Sequence, residues 1–306
     1  MDVNKIISNH FELIFLLLIF IGFLFPGTFR FLVPYFSFIL MAMMFFVFLK
    51  IDVEKILEKI KTPLKIAYII LIMMIVLPII IFFTTMALPT EFNIGFTLIG
   101  IMVPASSIVA MVSLFKGNVN LGLIIQVLYF LIFPFVMPVF FFILFGRVTQ
   151  INIMSLFVSL ATLIFLPLIF SQIFLYLKKN LAKRVAKHSN ITSIIFLAIL
   201  AVGAISDKAV FILQNPVFIL SLMLGVLGIM VFFQVATYYL TFSFSKQERK
   251  TVSICKTLMN GTMTLVIANE FFSETVVLIA LSLFIFWFAY PFIGKIIFRL
   301  MGTTKK

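Results

Sequence analysis

One cysteine, Cys255, and two histidines, His10 and His188, are present in 306 residues. A lone cysteine closes no internal disulfide and builds no multi-cysteine metal site. Two histidines in polar connecting stretches are too few for a histidine-based centre. Acidic residues are also scarce, ten in all, and none falls between residues 94 and 145. The apolar segments hold no histidine and no aspartate, and there is no H-E-x-x-H. The groups needed for intramembrane hydrolysis (a nucleophile with its base, paired aspartates or a zinc motif) are therefore missing, which argues against an enzyme and implies no cofactor. A long polar extension, the usual sign of a sensor or scaffold, is absent too.

What is there is apolar. Hydrophobic residues make up 64% of the chain, 42 of them Phe and 16 Met, and mean hydropathy is +1.29. A soluble domain of this length cannot bury that much apolar surface. Apolar runs of 18 or more residues recur throughout, each long enough to cross a hydrocarbon layer of roughly 30 Å as a helix. Ten spans are expected, over 12–26, 31–49, 64–87, 94–115, 119–145, 152–177, 190–206, 214–243, 251–269 and 274–298. The first, ending in Phe25-Pro26-Gly27 rather than a small-x-small pattern, reads as an uncleaved span. The expected class is an all-α membrane protein whose first partner is the lipid bilayer.

The net charge of +13 would suggest nucleic acid in a soluble protein. Here the basic residues follow the loops. On alternate sides of the ten spans 19 fall on one side and 3 (Arg30, Arg147 and Lys208) on the other, while Lys256 falls inside a span. The positive-inside rule accounts for this split without nucleic acid and puts both termini in the cytoplasm, with a prokaryotic plasma membrane as the expected location. Residues 50–62 have apolar positions at helical spacing and read as a surface helix on that side. The basic connection 178–188 divides the chain into two five-span halves, 1–148 and 149–306. Five is odd, so the halves insert with opposite orientation, as in the inverted repeats of many secondary transporters.

Both halves carry an irregularity at a matching place. The fourth span contains Pro104-Ala105-Ser106-Ser107 and the ninth contains Asn260-Gly261-Thr262. Pro104 removes a backbone donor and Gly261 loosens a helix. Irregular backbone at membrane depth is tolerated where it is buried in protein or lines a cavity. Two discontinuous helices, one per half, point to a central binding site; ordinary kinked helices are the alternative.

At these residues the chain resembles the bile acid:sodium symporter family. LVPYFSFILMAMMFFVFLKIDVEKILEKIKTPL (32–64) is similar to its second span and following helix. MVPASSIVAMVSLFKGNVNL (102–121) is similar to its broken fourth span, and SKQERKTVSICKTLMNGTMTLVIA (245–268) to the segment that carries E-x-G-x-Q-N in its broken ninth span. Auxin-efflux-type carriers and arsenite permeases share this architecture. The resemblance implies a panel domain (spans 1, 2, 6 and 7) and a core domain (spans 3–5 and 8–10). It also implies discontinuous fourth and ninth helices crossing at mid-membrane, and a small organic anion bound between the domains and carried by alternating access. That architecture does not require a dimer.

The sequence departs from the family where sodium would be held. A hard cation needs oxygen ligands. The family's acidic residue aligns with Lys256, its glutamine with Asn260, a third-span glutamine with Met73, and a Ser-Asn pair with Val109 and Ala110. Fifth-span hydroxyls align with Gly122 and Gln126. Lysine has no acceptor to offer. We therefore expect no metal site and no sodium coupling, with Lys256 supplying a fixed positive charge to an anionic substrate; sodium coupling through altered ion sites is the alternative. Substrate-binding candidates are Lys256, Asn260, Thr262, Ser106 and Ser107, with Pro104 and Gly261 as the helix breaks. Lys256 is only six residues past Lys250, so snorkelling of its stem to the cytoplasmic face is the competing reading. The remaining polar span residues, such as Gln172, Gln234, Thr237 and Thr257, read as contacts between helices, and Cys255 as a small packing residue.

Overall fold

The computed structural model describes residues 11–58, 60–146 and 152–302. Both chain ends, on which the orientation of the termini rests, lie outside the described residues, as do His10 and Arg147. Regular structure among the described residues is helical. The thirteen helices, numbered in chain order, include several short or interrupted ones.

Among the described residues, seven segments are long and apolar enough to cross a membrane. They are Arg30–Phe48, Pro63–Thr85, Val119–Phe145, Ile153–Leu177, Ile191–Gln214, Pro216–Leu240 and Glu274–Leu300. The other expected spans take different forms. Helix α1 is described over Phe11–Leu24. The 94–115 region is two helices, α5 (Thr90–Ile101) and α6 (Ile108–Leu114). The 251–269 region is also two, α11 (Lys246–Thr257) and α12 (Gly261–Phe271).

Two boundaries differ from the sequence reading. The basic connection is itself helical, and α9 runs unbroken over Lys179–Gln214. Its Ala, Leu, Lys and Arg residues are good helix formers, no proline intervenes, and Pro216 supplies the stop. The surface helix expected over 50–62 shrinks to α3, Val53–Leu57.

The chain forms two compact units. The first takes the described residues of Met1–Val53 and Asn152–Ile219. It comprises α1, a 3-10 turn (Arg30–Tyr35), α2 (Phe36–Phe48), α8 (Ile153–Leu177) and α9. Close approach depends on glycine: a Cβ on Gly203 would stand 3.0 Å from the Phe36 ring. Gln172 of α8 donates to the Ile51 carbonyl at 2.9 Å. Asp207 pairs with both Arg30 (3.0 Å) and Lys208 (2.9 Å). One carboxylate thus serves two of the three basic residues that depart from the charge alternation.

The second unit takes the described residues of Glu54–Ile151 and Leu220–Lys306. It holds α4 (Pro63–Thr85), α5, α6, α7 (Val119–Phe145), most of α10 (Pro216–Leu240), α11, α12 and α13 (Glu274–Leu300). The Lys116-Gly117-Asn118 turn joins α6 to α7. Lys116 adopts φ 56°, a Cβ on Gly117 would meet Thr251 Oγ1 at 2.7 Å, and Asn118 caps α7 by accepting from Leu121 N–H. Thr251 Oγ1 accepts from Asn118 N–H at 2.7 Å, fastening the turn to α11.

Candidate functional site

The two helix interruptions lie in the second unit and satisfy one another. After Ile101 the chain leaves the helix, with Met102 extended. After Thr257 it leaves again at Leu258. Ala105 N–H donates to the Leu258 carbonyl and Asn260 N–H to the Val103 carbonyl, both at 2.8 Å, and Pro104 faces Met259 in an antiparallel bridge. These two bonds pair four of the backbone groups freed by the breaks across the two, as an apolar interior demands. Asn260 caps α12, its Oδ1 accepting from Met263 N–H at 3.1 Å. Gly261, read from the sequence as the break, is the first residue of α12; the break itself is Leu258-Met259-Asn260.

Two prolines leave two carbonyls without helical partners. In a continuing helix the Gly100 carbonyl of α5 would accept from the N–H four residues on, but that residue is Pro104. In α4 the segment Ile72–Val76 is a π turn, and Leu77 N–H is taken by the Ile72 carbonyl. The next possible partner for the Met73 carbonyl is residue 78, and Pro78 has no N–H. An unpaired buried carbonyl costs about 1–3 kcal/mol.

Lys256 meets both. It sits in the last turn of α11, 1% exposed, and its Nζ donates to the Met73 carbonyl at 2.5 Å and to the Gly100 carbonyl. The Phe233 ring faces the same nitrogen, 4.4 Å from its centroid. An ammonium has three donors and no acceptor, so two carbonyls and a ring face use it fully. Gly100 and Lys256 each lie in the last turn of a half-helix, α5 and α11, where the dipole favours a cation. None of the described ion pairs involves Lys256. The nitrogen is enclosed by protein, not extended along its stem into water.

The other candidate residues surround the paired breaks. Thr262 Oγ1 donates to Asn260 Oδ1 at 2.7 Å. Gln126 donates to the Ala105 carbonyl at 3.1 Å. Ser106 and Ser107 are half-buried. Of the candidate residues' polar atoms, Ser107 Oγ and Asn260 Nδ2 are buried without a partner. Lys256 bonds to α4 and α5, and not to the side chains of Ser106, Ser107, Asn260 or Thr262. Of the positions aligned with family sodium ligands, Met73 is buried, Val109 half-buried and Ala110 exposed. Met73 contributes through its carbonyl, so reading it by its side chain alone missed its part. Gly100 and Phe233 were missed altogether. The signal for the two carbonyls was the pair of prolines downstream.

At the basic end of the unit, Lys65 Nζ donates to Glu248 at 2.6 Å and lies 4.4 Å from the Phe244 ring centroid. Glu248 also closes a capping box with Ser245 that starts α11. Partial burial raises the Glu248 carboxyl, but bonds from Lys65 and Ser245 outweigh it and hold it below the usual carboxylate value. Burial lowers Lys250, helped by Lys116 and Lys246 nearby.

Residues 37–215 match the family described as the sodium bile acid symporter family. No individual curated protein matches the chain. The matched stretch covers the first interruption and both orphaned carbonyls, and ends before Phe233, Lys256 and the second interruption. Seven membrane-length apolar helices and a family match over more than half of the chain agree: this protein belongs to the sodium bile acid symporter family of membrane transporters.

Proposed function

We propose that this protein carries a small organic anion across the membrane by alternating access, without sodium coupling, with the Lys256 ammonium standing where relatives hold a metal ion. The observation that carries this reading is the set of acceptors around Lys256, two backbone carbonyls and an aromatic face. Carbonyl oxygens are what a hard cation takes as ligands. A tethered ammonium that already uses them repels a second cation. With the Lys256 ammonium on these two carbonyls, they are not free to ligate sodium.

In this reading the seven long helices, α1 and the two interrupted pairs make ten spans in two inverted five-span repeats. The basic side is cytoplasmic and carries both termini. The two compact units are the bodies that move during transport. Lys256 acts on the substrate through its field, from behind the paired breaks. Asn260 Nδ2 and Ser107 Oγ, buried donors without partners, bind the anion, with Ser106 and Thr262 beside them. A fixed positive charge selects anions and rejects cations of the same size.

The test is counterflow in proteoliposomes loaded with candidate carboxylates and sulfonates. A carrier gives saturable uptake that is accelerated by the same anion on the opposite side. Conductance far above carrier turnover, or uptake of amines in preference to acids, would overturn the reading.

A further inference from the structure

The first unit carries a groove that contains none of the residues around the paired breaks. It lies between α2 and α8, has a volume of about 590 Å³, and is lined by Phe38, Met41, Phe45, Phe170 and Phe174, ending at Lys178. The two helices run side by side, with the Phe45 and Phe174 rings 6.1 Å apart. Phe38 and Phe170 are 67% and 57% exposed, so the groove is open along its length. Lined on one side by residues 166 to 177 of α8 and by Lys178 at its end, it is ~18 Å long at 1.5 Å per residue. That is close to one leaflet, half of a ~30 Å hydrocarbon core.

Its charge is all at one end. Lys178 closes the groove, Lys179 follows it, and both are exposed. Lys50 lies just past the corresponding end of α2. Every other lining position is apolar or proline. A ligand that fits must be an apolar chain about one leaflet long with an anionic head at its basic end. We propose that this groove binds an anionic phospholipid, its acyl chain along the phenylalanines and its phosphate on Lys178 and Lys179. The choice of leaflet rests on the basic side being cytoplasmic, as in the functional reading above, and that leaflet is where anionic lipids concentrate.

The test is native mass spectrometry of the full chain in mild detergent, titrated with phosphatidylglycerol or with phosphatidylcholine of the same acyl chains. The expected result is several-fold greater retention of phosphatidylglycerol. Lys178→Glu with Lys179→Glu abolishes the preference, Lys178→Arg keeps it, and Lys183→Glu, outside the groove, leaves it unchanged. Met41→Trp, which fills the groove, lowers retention of both lipids. Equal retention of the two lipids by wild type, or a preference that survives the double charge reversal, overturns the proposal. So does a Phe170→Cys variant that crosslinks to a second copy across the groove in lipid bilayers. Lipid retention is read without any substrate, so its failure is distinct from failure of the transport reading.

Discussion

Replacing Lys256 with methionine removes the charge and keeps an unbranched apolar stem. The Met73 and Gly100 carbonyls then lose the donor that Lys256 supplies, at a cost of about 1–3 kcal/mol each, or roughly 2–6 kcal/mol together. The contact with the Phe233 ring is lost as well, worth about 2 kcal/mol where water is excluded. Against this, a mid-membrane charge costs ~2.5–3.5 kcal/mol and that cost disappears. The losses win, and the variant is destabilised by about 1–5 kcal/mol. Thermal unfolding of purified protein in detergent reads this directly. The shorter Lys256→Ala variant leaves a cage whose carbonyls still point inward. Propylammonium, which has the shape of the missing side chain's end, should raise its midpoint, while tetramethylammonium, too large for the cage, should not. A Lys256→Met protein as stable as wild type, or rescue equal for both amines, would refute the cage.

Pro104→Ala returns an N–H within reach of the Gly100 carbonyl; α5 should extend, the paired breaks separate, and anion uptake fall at least tenfold while the protein still expresses in the membrane. Ser245→Ala removes the cap of α11 and should cost about 1 kcal/mol in an unfolding titration. The Glu248 carboxyl lies below its ordinary value in the folded protein, so its contribution is present above the unfolded pKa and is lost as pH falls through the folded value. Acid unfolding of Glu248→Gln should accordingly lack that pH-dependent loss. Gly225→Ala places a Cβ 2.5 Å from the rigid Phe96 ring and should destabilise by about 1–3 kcal/mol, whereas Gly228→Ala, with nothing within 4 Å, should be neutral or slightly stabilising.

Much of the membrane helix pattern was legible because it depends on apolar length alone. The two interruptions were also legible, since Pro104 and the Asn260-Gly261 pair are local signals. Their pairing was not: the bonds from Ala105 and Asn260 join residues more than 150 positions apart, and no local pattern encodes them. The basic start of α9 resembles a loop in its charge, yet Lys, Arg and Ala continue a helix readily. Lys256 was found by its unexpected charge. Its partners were not, because backbone carbonyls leave no residue type to recognise. Pro78 and Pro104 were the only trace, and they become informative once a proline is read for the acceptor it strands as well as for the donor it lacks.

The central claim, that a tethered ammonium has replaced a carried sodium ion, is tested most directly by initial rates of anion uptake into proteoliposomes under an inward sodium gradient and under an equal choline gradient. Equal rates in wild type are predicted. A rate that rises with external sodium, and that collapses when the gradient is dissipated, would contradict it.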